Sequence, residues 1–190
     1  MNSKSDLRKI ILSKRNSMPL EHVREKSRII SEKLFSTEEY KKSNTVFIYM
    51  DFKNEVRTLD LINKMLNENK HVVIPYTDTV NTLIIPVEIT NIKSDLKCSS
   101  FGYLEPRTEK VEEVEISKID LIIVPGVVFD KNLNRIGFGK GYYDRILIKK
   151  RQDTKAIAVA YEFQVLDEIP SEEHDIKMDM IITEENIYML

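Results

Sequence analysis

Residues 45–75 read TVFIYMDFKNEVRTLDLINKMLNENKHVVIP, and this stretch decides the fold. Its opening, residues 45–50, is a short apolar run typical of a buried strand. A helix is predicted from a Thr58 cap through Asn69. The apolar residues of this helix recur at helical spacing and are predicted to face inward: Leu59, Ile62, Met65 and Leu66. A second strand at 72–74 is predicted to end at Pro75, which completes a strand–helix–strand unit with parallel strands.

The alternation of helices and strands continues on both sides of this unit. Two helices open the chain, one capped by Ser3 or Ser5 and one beginning at Pro19. Their residues at helical spacing are Leu7, Ile10, Ile11 and Lys14 in the first, and Val23, Ile30 and Leu34 in the second. Later strands are predicted at 83–85, 121–124, 157–160 and 180–183, with a helix at about 142–150. The polar middle of the chain, up to a turn-rich stretch at 101–106, gives no further clear pattern.

Strands that are apolar on both faces and alternate with helices predict an α/β fold. We expect three layers, α/β/α, around a mostly parallel central sheet, in a single domain over residues 1–190. Ligands of such sheets bind beyond the carboxyl ends of the strands.

Composition excludes several classes of function. The 29 basic and 31 acidic residues give a formal charge of −2, so no basic face for nucleic acid is expected. Cys98 is the single cysteine and cannot form an internal disulfide, which suits a reducing compartment. The first residues form a charged helical pattern rather than a signal peptide, and no apolar run approaches the ~20 residues that span a bilayer. We expect a cytoplasmic monomer without nucleic-acid or membrane partners.

A glycine cluster is the most informative functional motif. Three of the five glycines fall within RIGFGKGYYDR, residues 135–145. Glycines cluster where φ must be positive or where the backbone approaches a ligand closely. Such a loop, with a lysine inside it and a helix after it, can hold phosphate, and it follows the strand at 121–124 on the ligand-binding side. The alternative is a flexible surface turn.

Two familiar phosphate-binding motifs do not fit this cluster. A Walker A loop needs four residues between glycines and a hydroxyl after the lysine, and neither is present. A dinucleotide fingerprint needs Gly-x-Gly-x-x-Gly directly after a strand, whereas this loop has Gly-x-Gly-x-Gly farther along the chain. What remains is a loop of backbone N–H groups beside the cations Arg135, Lys140 and Arg145. Asp144 is either an ordinary helix-start acid or a ligand of Mg²⁺ bridging phosphates.

The chain resembles the 5-formyltetrahydrofolate cyclo-ligases, also called 5,10-methenyltetrahydrofolate synthetases. Residues 135–145 match the signature loop of this family closely. Supporting matches are Lys4-x-x-x-Arg8, Tyr49 through Thr58, Phe101-Gly102-x-x-Glu105-Pro106, Asp120 through Asp130, and His174-Asp175 through Thr183. The segments 162–164 and 78–97 match only loosely.

The resemblance implies cyclisation of 5-formyltetrahydrofolate to 5,10-methenyltetrahydrofolate, driven by ATP with Mg²⁺ and giving ADP and phosphate. The formyl oxygen would attack the γ-phosphoryl group, and N10 of the reduced folate would then displace phosphate and close the ring. Phosphoryl transfer of this kind depends on positioning and charge neutralisation.

The resemblance also implies roles for individual residues. Lys140 and Arg145 would act on the transferring phosphoryl group. The ATP site would consist of Lys4, Arg8, Arg135, Ile136, Gly137, Phe138, Gly139, Lys140, Gly141, Tyr142 and Tyr143. The folate site would consist of Met50, Glu55, Phe138, Gly139, Lys140, Gly141 and Tyr142. Asp144 and Asp175 would bind Mg²⁺.

Without the resemblance, plainer interpretations stand beside these roles. Lys4 and Arg8 lie four apart on one helix face and would be a solvated basic face. Glu55 and the pair His174-Asp175 would be ordinary loop residues, since isolated acids are usually solvated. One of Tyr142 and Tyr143 is expected to pack in the core. The alternative functions are a non-catalytic nucleotide or folate binder and an α/β enzyme of the sugar-phosphate isomerase kind.

Overall fold

The computed structural model describes residues 3–99, 102–107, 109, 112–172 and 175–190. The helices are α1 (Lys4–Asn16), α2 (Leu20–Ser36), α3 (Glu38–Lys42), α4 (Leu59–Asn67), α5 (Ile92–Asp95) and α6 (Tyr142–Leu147). The strands are β1 (Thr45–Ile48), β2 (His71–Asp78), β3 (Leu83–Ile89), β4 (Leu96–Cys98), β5 (Leu104–Pro106), β6 (Leu121–Val124), β7 (Val128–Asp130), β8 (Arg135–Ile136), β9 (Lys155–Val159), β10 (Val165–Leu166), β11 (Met180–Ile182) and β12 (Ile187–Tyr188). Short 3₁₀ turns lie at Ile116–Lys118 and Glu162–Gln164.

A seven-stranded sheet in the order β12-β11-β9-β6-β1-β2-β3 organises the described residues. The five inner strands are parallel, and the edge strands β12 and β3 are antiparallel to their neighbours. Register aligns Phe47 of β1 with Val73 of β2 and with Ile122 of β6. The prediction of an α/β fold with a mostly parallel central sheet is confirmed.

Alternate residues of the inner strands enter two separate apolar cores, as the strand period requires. Val46 and Ile48 of β1 lie in one core with apolar residues of α2 and α4, whereas Phe47 between them lies in the other core with residues of α6. The helices therefore cover both faces of the sheet, which gives the expected three layers.

Helix α1 does not belong to either of these cores. Its buried Leu7 and Ile11 pack against residues of β7 and β8, which form a small sheet with β10. The helix begins with a Ser3 capping box completed by Asp6, as the sequence predicted for Ser3. This packing holds α1 beside the end of β6, where the chain leaves the central sheet.

Two details of the sequence interpretation are wrong, and one predicted strand is longer than expected. Strand β2 does not end at Pro75 but continues to Asp78, because Pro75 lies opposite Pro86 of β3, at a pair position that needs no N–H donor. The predicted strand at 83–85 is the longer β3, which extends this antiparallel ladder to Ile89. Leu59 is exposed and Leu61 is buried instead, because α4 begins at Leu59 and turns its first residue to solvent.

The ends of other elements also differ from the sequence expectation. Strand β1 ends at Ile48, α4 ends at Asn67 and α6 ends at Leu147, each earlier than predicted. Strand β9 covers Lys155–Val159, and β11 ends at Ile182. The 3₁₀ turns and the small sheets were not predicted, since runs of two or three residues carry too little periodicity. In the part of the chain that the structure describes, no helix is both long and apolar enough to cross a membrane.

Candidate active site

The candidate site lies beyond the carboxyl ends of β1, β2 and β6. Because these strands are neighbours and parallel, the segments that follow them meet at one edge of the sheet. Tyr49 and Met50 follow β1, Thr77 lies near the end of β2, and Pro125 follows β6. Together with α1 and the glycine loop, they line a cleft of about 680 Å³, within the usual size range of ligand pockets.

Nearly all the residues predicted for the site line this cleft. They are Lys4, Arg8, Met50, Glu55, Arg135, Ile136, Gly137, Phe138, Gly139, Lys140, Gly141, Tyr142, Tyr143, Asp144 and Asp175. Arg145 is not among the lining residues, and its Nη1 donates instead to the Thr82 carbonyl at the tip of the β2–β3 hairpin, at 3.2 Å. Phe101 and His174, part of the segments that carry the resemblance, lie outside the described residues.

The glycine loop presents its backbone to the cleft. Gly139 has φ +93° and Gly141 has φ +70°, conformations that L side chains rarely adopt. Gly141 is also the residue before α6, and its left-handed conformation turns the chain from the loop into that helix. Phe138, Gly139 and Lys140 are exposed. The two glycines thus allow a ligand to approach the main chain without a Cβ in the way.

Helix α1 brings two predicted phosphate ligands to this loop. Arg8 Nε donates to the Gly137 carbonyl at 2.7 Å, and Lys4 Nζ donates to Asp175 Oδ2 at 2.7 Å and to Glu172 Oε1 at 2.9 Å. Burial alone would lower the pKa of Lys4, but its hydrogen bonds to Asp175 and Glu172 outweigh that effect and raise it. Lys4 and Arg8 are therefore part of the cleft wall rather than a solvated basic face.

Arg135 anchors the start of the loop. Its side chain is buried, Nη1 donates to the Pro125 carbonyl at 3.4 Å, and Nη2 is ion-paired with Asp144 Oδ1. Arg135 Nε is buried without a hydrogen-bond partner among the described residues. The arrangement ties the loop to the end of β6 and holds the Asp144 carboxylate at the cleft.

Glu55 lies at the other side of the cleft, in the loop between β1 and α4. Asp51 shapes this loop because its Oδ1 accepts hydrogen bonds from the Thr58 N–H and hydroxyl, at 2.9 and 3.1 Å. Glu55 Oε2 accepts from the Phe52 N–H at 2.9 Å, which fixes the carboxylate. Only 7% of Glu55 is exposed, so it is not the solvated loop acid that the sequence pattern alone favoured.

Burial determines the protonation of Glu55. Loss of solvent raises the pKa of its carboxyl to about 7, although nearby Arg15 and the Phe52 N–H act in the opposite direction. A carboxyl with this pKa is present in both forms near neutral pH. As a carboxylate it can accept two hydrogen bonds from an amino-substituted heterocycle.

Tyr142 and Tyr143 occupy different environments at the start of α6. Tyr143 packs against both apolar cores, and its hydroxyl is buried without a hydrogen-bond partner among the described residues. Burial, with Glu55 nearby, raises the pKa of this hydroxyl well above its ordinary value. Tyr143 is thus the core aromatic that the sequence led us to expect, although it also reaches the cleft wall.

Comparison with known proteins agrees with this geometry. The model of the 5-formyltetrahydrofolate cyclo-ligase family matches residues 1–184. The chain belongs to this family. The mouse 5-formyltetrahydrofolate cyclo-ligase is 28% identical over 193 residues, which cover 97% of this chain and 95% of the mouse protein.

Two solved structures of the family share the fold. The NMR structure of Aquifex aeolicus 5,10-methenyltetrahydrofolate synthetase has a TM-score of 0.85 and 35% identity, and the match covers 98% of this chain and 92% of that one. The structure of a Mycoplasma pneumoniae 5,10-methenyltetrahydrofolate synthetase has a TM-score of 0.78 and 28% identity, covering 96% and 99%. The named relatives are ligases, and membership of the family makes this chain an enzyme of that class.

Several cleft residues of this cyclo-ligase family member were not predicted from sequence. They are Leu12, Arg15, Asn16, Tyr49, Phe52, Lys53, Pro75, Thr77, Thr79, Ile84, Tyr103 and Pro125. A signal existed for Arg15, which lies eleven residues after Lys4 and so comes back to the Lys4–Arg8 face of α1 after about three turns. The segments that carry the resemblance include Tyr49, Phe52, Lys53, Tyr103 and Pro125. No pattern marks the remaining residues, because they come together only when separate loops meet.

Proposed function

We propose that this chain is an ATP- and Mg²⁺-dependent ligase that cyclises 5-formyltetrahydrofolate to 5,10-methenyltetrahydrofolate and releases ADP and phosphate. One observation carries the proposal: a single cleft contains both a glycine loop flanked by cations and a buried carboxylate suited to a pterin. Membership of the cyclo-ligase family supports the same reaction. The two substrates would thus meet in one cleft.

The glycine loop is the proposed ATP site. Exposed N–H groups of a loop with positive-φ glycines bind phosphate oxygens, and Lys140 adds a flexible positive charge. Lys4 and Arg8 supply further cations from α1, within the same cleft. Arg145 stays a proposed phosphate ligand. It would reach the cleft only after leaving the Thr82 carbonyl, to which it now donates.

The proposed magnesium site consists of two carboxylates of the cleft, each of which is ion-paired with a cation in the structure. Mg²⁺ in nucleotide enzymes uses one or two carboxylates together with phosphate oxygens and water, so it needs no larger protein cluster. Asp144 and Asp175 both line the cleft and would hold the ion. No group of three or more His, Cys, Asp or Glu residues suited to a metal occurs among the described residues. The ion would neutralise negative charge on the phosphates.

The folate site would be the side of the cleft that contains Glu55 and Met50. The Glu55 carboxylate would accept hydrogen bonds from the amino-pterin edge, and Met50 would contact the ring. Binding there would fix the formyl group toward the glycine loop, so that its oxygen reaches the γ-phosphoryl group of ATP. N10 would then attack the activated formyl carbon and release its proton to water, and phosphate would leave as the ring closes. The protein supplies position and charge rather than a covalent nucleophile.

The alternatives explain less of the cleft. A non-catalytic binder would not need Asp144 and Asp175 beside the phosphate loop, and an isomerase would need no nucleotide site. The proposal also includes a cytoplasmic location and a monomeric enzyme with no partner beyond its small-molecule substrates. Analytical ultracentrifugation of the purified protein would test whether it is a monomer.

The proposed reaction can be tested by omission. The protein is mixed with ATP, Mg²⁺ and 5-formyltetrahydrofolate, and the absorbance of the methenyl product is followed. We expect product only in the complete mixture, and none when ATP, Mg²⁺ or protein is left out. Folate binding without product in the complete mixture would support the binder, and product without ATP would contradict the ligase.

A further inference from the structure

Arg15 is a buried cation at the end of α1 to which the proposed reaction gives no role. Only 2% of the residue is exposed. Its Nη1 donates to the Gly126 carbonyl at 3.2 Å, and Nη2 lies 3.7 Å from Glu55 Oε1. The ring of Phe138, in the glycine loop, covers the guanidinium at 5.5 Å from its centroid. Arg15 therefore touches the end of β6, the glycine loop and the carboxylate of the folate side.

The hydrogen bonds of Arg15 do not explain why a charged side chain is buried at this position. Its Nε is buried without a hydrogen-bond partner among the described residues, and its approach to Glu55 is an ion pair at a distance too long for a hydrogen bond. A buried charge with an unpaired donor is costly. An aliphatic side chain would pack there at lower cost, which indicates that the positive charge serves another purpose.

The backbone around Arg15 is fastened to the loop that contains Glu55. Asn54 Nδ2 donates to the carbonyls of Arg15, Asn16 and Met18, at 3.0, 3.3 and 2.9 Å. Asn54 thus caps the end of α1 with its side chain, and it is the residue directly before Glu55. The distance between the guanidinium and the carboxylate is set by this connection rather than by the ion pair alone.

Several charged or titratable groups face Glu55. They are Arg15 from α1, Asp51 and Arg57 from the same loop, Tyr49 from the end of β1, and Tyr143 from α6. Burial raises the pKa of Glu55, Asp51 raises it further, and Arg15 is the largest opposing influence. Arg57 is a weaker one, since it is ion-paired with Asp51 at 2.7 Å. Arg15 is thus the group that most favours the charged form of this carboxyl.

We propose that Arg15 is a positioning residue for the folate: a fixed positive charge behind Glu55 that favours the ionised form of this carboxyl and holds it toward the pterin. The inference rests on the proposed function, because it assumes a folate at Glu55. It adds a residue that acts through Glu55 rather than on the substrate itself. Removing the charge should therefore weaken folate binding in a way that alkaline pH can reverse.

The experiment measures the dissociation constant of 5-formyltetrahydrofolate by titration calorimetry between pH 6 and 9. The variants are Arg15→Met and Arg15→Gln, whose amide can still donate to the Gly126 carbonyl. Lys14→Met is the matched control, because it removes a neighbouring cation that lies over Phe163 outside the cleft. At each pH, the dissociation constant of a variant is divided by that of the wild type. This ratio removes the effect of ionisation of the folate, which is the same for every protein.

We expect both Arg15 variants to bind the folate about tenfold more weakly at pH 6, as a shift of one pH unit in the Glu55 titration requires. The loss should shrink toward none at pH 9, where the carboxyl is ionised in every variant. Arg15→Lys should restore most of the affinity at pH 6, and Lys14→Met should match the wild type throughout. In a Glu55→Gln background, Arg15→Gln should have no pH-dependent effect.

Other outcomes would overturn the proposal. A loss of affinity that is equal at every pH would make Arg15 a structural residue, and an unchanged affinity would give it no role. If Arg15→Met does not fold, the pH dependence of folate binding by Arg15→Gln decides in the same way. Failure of the proposed function is separate: the wild type would bind the folate, with its Arg15 dependence, yet form no ADP. A wild type that does not bind the folate would contradict both.

Discussion

At the scale of single residues, Glu55 shows how burial changes the meaning of a side chain. In the sequence it is one acid in a polar loop, and only the family resemblance singled it out. In the structure its carboxyl is buried, receives the Phe52 N–H and has a pKa of about 7. Sequence could predict that Glu55 follows a buried strand. It could not predict the burial, because the residues that enclose Glu55 come from α1 and α6.

The buried carboxyl makes stability depend on pH. Its pKa is 4.5 ordinarily and about 7 in the folded protein, so between these values the folded state binds the proton more tightly. Stability should therefore fall as pH rises from about 4.5 to 7, by on the order of 3 kcal/mol. Glu55→Gln removes this dependence. We expect the melting temperature of the variant, relative to wild type, to rise between pH 5 and about 7 and to level off above that.

The change from a carboxyl to an amide in Glu55→Gln also alters the hydrogen bonding of this side chain, for example with the Phe52 N–H, and adds an offset that does not depend on pH. The test is therefore how the difference in melting temperature between variant and wild type changes with pH, rather than its sign at any one pH. If the melting temperatures of variant and wild type change in parallel with pH over this range, Glu55 titrates near its ordinary pKa.

The two proposed metal ligands give a second prediction at this scale. Asp144→Asn and Asp175→Asn should each lower kcat at least about tenfold, because the proposed ion would neutralise charge on the transferring phosphoryl group. Extra Mg²⁺ should restore part of the activity, since one carboxylate and the phosphates still bind it. Asp153→Asn is the control, because Asp153 is an exposed aspartate paired with Arg151 outside the cleft.

Each variant loses an ion pair, and the two pairs differ in burial: the cation is the partly exposed Lys4 for Asp175 and the buried Arg135 for Asp144. Asp144 is the ion-pair partner of the buried Arg135, so Asp144→Asn should lower the melting temperature slightly. Wild-type turnover across a Mg²⁺ titration in either variant would remove that aspartate from the metal site.

At the scale of elements, the glycine loop and α1 form the proposed phosphate site together. The loop was recognisable from sequence because three glycines are placed at alternate positions. Helix α1 was recognisable as a helix, but its docking against the loop was not, since that depends on the small sheet of β7, β8 and β10. Strands of two or three residues leave no periodic signal.

The loop prediction concerns Gly139→Val. A branched side chain at φ +93° strains the loop and holds phosphate away from the main chain, so ATP affinity should fall at least tenfold. Gly102→Val is the matched control, since Gly102 has φ +88°, lies outside the glycine loop and has no atom of the described residues close to its Cβ position. It should show similar strain and unchanged ATP affinity. Equal affinities in the two folded variants would mean that the loop does not bind nucleotide.

The prediction for α1 is a double-mutant cycle. Lys4→Ala and Arg8→Ala should each weaken ATP binding, and the double variant should lose less than the sum, because both side chains would contact one polyphosphate. Lys9→Ala, which removes an exposed cation of the same helix, should have no effect. Nucleotide titration of the four proteins checks this. Strict additivity would indicate that Lys4 and Arg8 act independently of a shared ligand.

At the scale of the whole molecule, the parallel sheet explains why two binding sides share one cleft. Neighbouring parallel strands deliver their following segments to one edge, so the loop with Glu55 after β1 lies beside Pro125 after β6. The glycine loop follows β8, and Arg135 ties its start to the Pro125 carbonyl at this edge. The sheet was predictable, since its strands are apolar on both faces. The antiparallel hairpin of β2 and β3 was not predictable, because each strand contains a proline, Pro75 and Pro86, and proline within a run normally argues against a strand.

The central claim is that this cleft joins ATP cleavage to folate cyclisation. The most direct test measures ADP and 5,10-methenyltetrahydrofolate in the same quenched samples over one time course. We expect them to form in a one-to-one ratio, each only when both substrates and Mg²⁺ are present. ADP that forms equally without the folate, or methenyl product that forms without ADP, would contradict the account.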